Sequence, residues 1–207
     1  MAGRLKFFDD IVSALSETKD GDSLYFVDDC LLSGTQTLSI LGDLTGTRQH
    51  KAHHTVYSKP LNQIDLKKFL NRNLVFNYCV ATDIGRDRFI NNLVKTGIDP
   101  SRAIIRFGVL EHSLSKAFQP MGPIAWASSD ERNELRQFAS EVGYDILEHR
   151  TRIKNWSDER RRESALGFSD FQRLLVFPYN VPKTTVTLLW EKGSETRPWR
   201  PLFTGFD

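Results

Sequence analysis

Short apolar runs alternate with stretches of helical periodicity along the first half of the chain. Three of these runs have the length of strands, at residues 24–27, 74–80 and 103–107. The first is apolar enough to be buried on both faces. Apolar residues three and four positions apart predict helices between and after them, over residues 36–44, 60–70 and 85–95. Ile64 and Phe69 are expected to face inward from the second of these helices. Strands that alternate with helices are typical of right-handed βαβ units. The pattern therefore predicts an α/β fold in which helices flank a mostly parallel sheet.

Outside this alternation the pattern is less regular. The residues before the first run predict one amphipathic helix, and Ser128 and Glu131 have the spacing of a capping box at the start of another, which Gly143 is expected to end. Residues 108–167 are expected to form an irregular lid or hood. The tail predicts two more strands, over residues 174–177 and 184–190.

Composition and charge narrow the class of protein. The chain has 207 residues, of which 40% are hydrophobic and 26% charged, which suits one globular domain over residues 1–207. The net charge of +2 is too small to indicate binding to nucleic acid or to an anionic membrane. Two cysteines make a disulfide framework unlikely, so a reducing, cytoplasmic location is expected. The sequence shows no signal peptide or membrane span.

The chemistry of the chain is concentrated directly after the first predicted strand. Asp28 and Asp29 follow the apolar run, and a small loop of Ser33, Gly34 and Thr35 opens into the next predicted helix. Ligands of open α/β sheets collect at the carboxyl ends of the strands, where free backbone N–H groups bind anions. Two carboxylates can accept hydrogen bonds from sugar hydroxyls while the loop binds a phosphate. This combination suits a phosphorylated ribose.

Three other interpretations of the acidic pair remain open. A receiver domain begins in this way, although no later strand ends in Lys-Pro. A nucleoside triphosphatase has a strand that ends in two acids, but the upstream Gly-x-x-x-x-Gly-Lys-Ser/Thr motif is missing. In a purely structural interpretation, the two aspartates only cap the helix that follows.

At these residues the chain resembles the type I phosphoribosyltransferases. Their signature is four apolar residues, two acidic ones, a short turn, then Thr/Ser-Gly and further small or hydroxylic residues. The resemblance implies that Asp28 and Asp29 hold the ribose hydroxyls of phosphoribosyl pyrophosphate. It also implies that the 5-phosphate is bound by Leu32, Ser33, Gly34, Thr35 and Gln36. Many members end the loop on Thr, so Gln36 puts one hydroxyl contact in doubt.

The same resemblance implies a metal ion. Mg²⁺ would bridge the pyrophosphate and the ribose oxygens, and the acidic pair would orient the sugar directly or through metal-bound water. Pyrophosphate would then be displaced at the anomeric carbon through an oxocarbenium-like state. The sequence marks no general base for the acceptor.

A second likeness lies at the C-terminus. Segments at residues 167–172, 175–177, 180–182, 189–190 and 199–203 resemble the closing part of the phosphoribosyltransferase-like domains of bacterial conflict (defence) systems. This resemblance implies a phosphoribosyltransferase-like fold and a role as a predicted effector or nucleotide-handling component.

Few residues precede the acidic pair, and this affects the expected activity. Type I phosphoribosyltransferases have an upstream strand and loop that hold pyrophosphate, and usually a flexible closing loop; there is no room here for both. The chain is therefore expected to be an N-terminally short or split member, or a non-catalytic sensor or effector that binds a nucleotide and acts through a protein partner. An enzyme releases pyrophosphate, whereas a sensor binds its ligand without turnover.

The segment 83–88 lies at the carboxyl end of the second predicted strand. It can contact a ligand there, but a helix start with surface ion pairs explains it equally well. Thr82 or Asp83 can cap the helix that follows.

Two further clusters have less specific patterns. His50, His53 and His54 match no standard zinc spacing, so a solvated segment is expected there. The arginine-rich segment 150–162 flanks Trp156, but acidic residues interrupt it. A solvated helix face is therefore expected, and nucleic acid is an unlikely partner.

Overall fold

The computed structural model describes residues 6–47, 59–112, 115–150, 155–177, 181–195 and 198–203. The chain divides into two compact units, Met1–Glu111 and His112–Asp207. The expectation of one domain over residues 1–207 stays a prediction. The three histidines of the discounted metal cluster lie outside the described residues.

The first unit is built on a parallel sheet of three strands. These are β1 at Ser23–Leu31, β2 at Asn73–Thr82 and β3 at Ala103–Glu111, in the spatial order β1-β2-β3. The predicted α/β class is therefore confirmed. Each strand is longer than predicted because ladder pairing continues past the apolar run. As a result, Asp28 and Asp29 lie within β1 instead of after it.

Four α-helices accompany the sheet in the described part of this unit. They are α1 at Ile11–Glu17, α2 at Thr35–Thr45, α3 at Gln63–Leu70 and α4 at Asp83–Leu93. Local signals set their ends: Asn62 caps α3, Thr82 caps α4, and Gly46 ends α2 in the left-handed conformation. Short 3₁₀ turns at Val94–Thr96 and Pro100–Arg102 lead into β3.

The core of this unit joins the helices to one side of the sheet. Its largest fully buried side chains are Phe69, Phe76 and Phe89. The expectation that β1 is buried on both faces is wrong, because Tyr25 is 50% and Val27 75% exposed. β1 is an edge strand, and the hydrophobic core lies on the face of the sheet opposite to these two side chains. Ile64, predicted to face inward from α3, is also exposed.

Among the described residues of the second unit, two α-helices are the main elements: α5 at Ser129–Glu148 and α6 at Asp158–Ala165. The capping box of Ser128 and Glu131 is present as predicted. Gly143 does not end α5 but lies inside it and is buried. A Cβ atom there would collide with the carbonyl oxygen of Ala165, so the glycine allows the two helices to approach closely.

The two strands predicted in the tail are wrong. In the described part of this segment no continuous strand forms: Arg173 makes a parallel bridge to Thr185, Phe177 is also in an isolated bridge, and Thr187–Leu189 forms a 3₁₀ turn. The apolar residues instead pack through individual contacts. For example, the indole N–H of Trp190 donates to the Thr185 carbonyl at 3.1 Å, and that of Trp199 to the Leu188 carbonyl at 2.6 Å.

Candidate functional site

The acidic pair lies in the second half of β1, toward the carboxyl end of the parallel strands. Asp28 and Asp29 are both partly buried, and Asp28 is the direct cross-strand neighbour of Tyr78 on β2. The backbone N–H of Asp29 donates to the Asp28 carboxylate at 2.9 Å. This bond fixes the orientation of the Asp28 carboxylate.

Burial raises the pKa of the Asp28 carboxyl above its ordinary value. The hydrogen bond from the Asp29 amide lowers this pKa, whereas the nearby Asp29 carboxylate raises it. The two carboxyl groups are therefore close enough to interact. Ionisation of Asp28 costs more free energy than ionisation of a carboxyl group in water. A carboxylate in this position gains from hydroxyl donors or a cation supplied by a ligand.

Tyr78 links the acidic pair to the start of α2. Its side chain is only 6% exposed, and its hydroxyl lies 3.0 Å from the Thr37 hydroxyl in the first turn of α2. Burial, opposed by the Thr37 hydrogen bond and assisted by Asp28 and Cys30, raises the pKa of Tyr78 to about 12. Burial and the neighbouring Asp29 also raise the pKa of the Cys30 thiol. Tyr78 and Cys30 are therefore neutral near pH 7.

The loop after β1 ends in a left-handed glycine. Gly34 has φ +69°, and it places Thr35 at the first position of α2. The Thr35 N–H makes a long hydrogen bond, 3.4 Å, to the Ser33 hydroxyl. Gly34 itself provides no side-chain cap, and the first turn of α2 contains no acidic residue.

The start of α2 differs from that of the other described α-helices. At the N-termini of α1, α3, α4, α5 and α6 a side-chain cap accepts a backbone N–H, with Asp10, Asn62, Thr82, Ser128 and Ser157 as the capping residues. The interpretation in which the two aspartates only cap α2 is wrong, because α2 begins beyond the loop and has no side-chain cap. Its first-turn N–H groups are thus suited to an anion.

The loop is seated on the first turn of α4. The Thr82 hydroxyl donates to the Leu32 carbonyl at 2.5 Å and accepts the Gly85 N–H at 2.9 Å. A Cβ atom on Gly85 would collide with the carbonyl oxygens of Leu31 and Leu32, and one on Gly34 would lie 2.7 Å from the Gly85 oxygen. Two glycines and one threonine therefore hold the loop against the helix.

Arg88 on α4 also reaches the loop. Its Nη1 donates to the Ser33 carbonyl at 3.2 Å and to the Thr35 hydroxyl at 3.4 Å. Sequence reasoning placed the segment 83–88 at a strand end but did not assign these residues. Thr82 was predicted only as one of two possible helix caps. No sequence pattern predicts its hydrogen bond to the Leu32 carbonyl, about fifty residues earlier in the chain.

The basic segment of the second unit is largely engaged by neighbouring side chains. Two arginines form ion pairs: Nη1 of Arg150 lies 2.6 Å from a Glu191 carboxylate oxygen, and Nη1 of Arg161 lies 2.9 Å from one of Asp158. Two others lie over aromatic rings: Cζ of Arg160 is 4.3 Å from the ring centroid of Trp156, and Cζ of Arg162 is 4.8 Å from that of Tyr144. Most charged side chains of α6 are exposed. These contacts agree with a solvated helix face.

The described ranges contain neither a metal-ion cluster of the usual kind nor a membrane-spanning helix. No group of three or more histidine, cysteine or carboxylate side chains there could hold a metal ion. No described helix is both long and apolar enough to cross a membrane.

The acidic pair and the loop before α2 lie in an α/β unit whose parallel sheet is consistent with a phosphoribosyltransferase-like protein. The chain belongs to the PRTase-CE family, whose pattern it matches over residues 4–204. This match confirms the phosphoribosyltransferase-like resemblance. No curated protein and no solved structure matches the chain.

Proposed function

We propose that the chain binds a 5-phosphoribosyl group, as phosphoribosyl pyrophosphate or a nucleotide, at Asp28, Asp29 and residues 32–36. The observation that carries the proposal is the first turn of α2, which has no side-chain cap at Gly34 and is separated by residues 30–34 from two partly buried carboxylates on β1. Backbone N–H groups and the helix dipole favour a phosphate at this turn. The carboxylates accept hydrogen bonds from ribose hydroxyls.

Contacts between β1, β2, α2 and α4 support the proposal, because they hold the acidic pair and the loop in place relative to each other. Tyr78 stands beside Asp28 in the sheet and hydrogen-bonds Thr37 on α2. Thr82 and Gly85 hold the loop between them against α4. A site that is rigid before the ligand arrives loses less entropy on binding.

The acidic pair also fits a magnesium ion. Mg²⁺ prefers oxygen ligands and is commonly held by one or two carboxylates together with water and substrate phosphates. Asp28 and Asp29 would supply the protein oxygens, directly or through water, and the ion would neutralise negative charge on a pyrophosphate. Asp28, whose charge is disfavoured by burial, would gain a counter-charge from it.

Transfer chemistry and biological setting are finer parts of the same proposal. In a transferase, the ribose at this site would lose pyrophosphate from its anomeric carbon, and the carboxylates would favour the positive charge that develops on the sugar. The resemblance of the C-terminal segments extends the proposal to a role in bacterial conflict systems.

Amide resonances measured by NMR test where the phosphate binds. On addition of phosphoribosyl pyrophosphate, the largest N–H shifts are expected in the first turn of α2, at residues 35–37. The first turn of α3 is an internal control, because its N–H groups at Ile64 and Asp65 are already bonded to Asn62 at 3.0 and 2.9 Å. Equal shifts at both helices, or shifts centred elsewhere, would argue against the proposed site.

A further inference from the structure

Arg88 brings a positive charge to a loop that was expected to bind phosphate through its backbone. Its guanidinium projects from α4, is exposed, and lies within 3.4 Å of the Thr35 hydroxyl. Thr35 is the first residue of α2, so the cation stands beside the N–H groups of that turn. The helix dipole and the Arg88 guanidinium therefore both favour negative charge at the start of α2.

The arginine is not needed to hold the loop in place. Thr82 anchors the Leu32 carbonyl through a short, buried hydrogen bond, and Gly85 packs directly below. By comparison, the bonds from Arg88, at 3.2 and 3.4 Å, are long and exposed. A neutral donor could make them equally well, which leaves the positive charge of Arg88 unexplained by packing.

The geometry of a guanidinium suits a phosphate. It presents five N–H donors in a planar fork, and only Nη1 is used in the contacts to the loop. Neither residues 32–36 nor the first turn of α2 contains a carboxylate to neutralise it. We infer that Arg88 is a specificity-determining residue that contacts the terminal 5-phosphate of the ligand; the inference rests on the proposed phosphoribosyl site.

This contact selects for a phosphorylated sugar. A phosphomonoester has a charge near −2 at neutral pH and offers three acceptor oxygens, whereas an unmodified ribose offers a neutral hydroxyl. Charge-assisted hydrogen bonds to arginine are about twice as strong as neutral ones. Arg88 would therefore favour ribose 5-phosphate over ribose, and a nucleoside monophosphate over its nucleoside.

Calorimetric titration with ribose 5-phosphate and with phosphoribosyl pyrophosphate tests this inference. Arg88→Gln is expected to weaken both ligands by the same factor, about tenfold to a hundredfold. Arg86→Gln is the matched control: it removes the same charge from α4, but Arg86 pairs with Asp87 at 2.8 Å instead of the loop. The control should change affinity by less than about threefold.

The possible outcomes distinguish a failure of the inference about Arg88 from a failure of the proposed phosphoribosyl site. Weakening of phosphoribosyl pyrophosphate alone would place Arg88 at the pyrophosphate and overturn the inference. Equal effects of the two arginine variants would also overturn it, since bulk charge would then explain them. If Arg88→Gln fails to fold, Arg88→Lys keeps the charge without the fork and should show a partial loss for both ligands. If the wild type binds neither ligand, the phosphoribosyl site itself is wrong.

Discussion

Replacement of Gly34 by alanine is expected to abolish ligand binding at the loop and to lower the free energy of unfolding by about 2–4 kcal/mol. Two costs combine at this position. The backbone has φ +69°, which disfavours any residue with a Cβ atom. The added Cβ would also lie 2.7 Å from the Gly85 carbonyl oxygen and 3.3 Å from the Phe89 nitrogen. Both are backbone atoms of α4, so the loop must move.

Gly97→Ala separates the two costs. Gly97 has a similar φ of +77°, but its nearest neighbour would be a Thr47 methyl carbon at 3.9 Å, an ordinary contact. This variant should lose only about 1–2 kcal/mol and bind ligand normally. Chemical denaturation gives the stabilities, and calorimetry gives the affinities. Equal destabilisation by the two variants, or full binding by Gly34→Ala, would contradict the close seating of the loop.

Asp28→Asn is expected to lose at least about tenfold in affinity for phosphoribosyl pyrophosphate while stabilising the fold slightly. Burial raises the pKa of Asp28, so the charge opposes folding near pH 7. Asparagine removes the charge and keeps an oxygen that can accept the Asp29 N–H. Because Asp28 is only partly buried, the gain should be small, about 0.5 kcal/mol. A residue kept for function commonly shows this opposition between stability and activity.

The dependence of stability on pH shows whether the charge of Asp28 stabilises or destabilises the fold. The native carboxyl of Asp28 keeps its proton at pH values where the unfolded one, with its ordinary value of 3.8, has lost it. The unfolded state then binds fewer protons at this group, so the contribution of Asp28 to stability falls as pH rises from 3.8 through the higher native pKa of Asp28. Unfolding of Asp28→Asn should lack this decrease. A variant that is less stable than the wild type near pH 7 would show that the aspartate supports the fold.

Local sequence patterns predicted the centre of this site because its parts are adjacent in the chain. An apolar run, two acids, a small loop and a helix occupy β1 to α2 without interruption. The same locality explains why the caps of α4 and α5 were predicted correctly. Each of these features depends on a few neighbouring residues.

The parts that sequence reasoning missed depend on contacts between distant residues. Tyr78, Thr82, Gly85 and Arg88 all reach β1, the loop or α2 from β2 and α4. No periodicity reports which carbonyl a threonine will contact, or which glycine is needed for close approach. The segment 83–88 was left open between a ligand contact and surface ion pairs. The structure shows an ion pair at Arg86 and a loop contact at Arg88.

Strand assignment failed where apolar content was not matched by a ladder partner. Residues 174–177 and 184–190 are apolar enough for strands, yet the chain there makes only isolated bridges and a 3₁₀ turn. Burial was overestimated at Tyr25 and Val27 for a related reason. An apolar run does not reveal whether its second face is covered by helices.

Calorimetric binding of phosphoribosyl pyrophosphate, with and without Mg²⁺, to the wild type and to the Asp28→Asn/Asp29→Asn double variant tests the central claim most directly. The account predicts binding by the wild type that the double variant weakens by at least about a hundredfold. It also predicts that Mg²⁺ strengthens binding only where the carboxylates are present. No binding by the wild type, or equal binding by both proteins, would contradict a phosphoribosyl site at this loop.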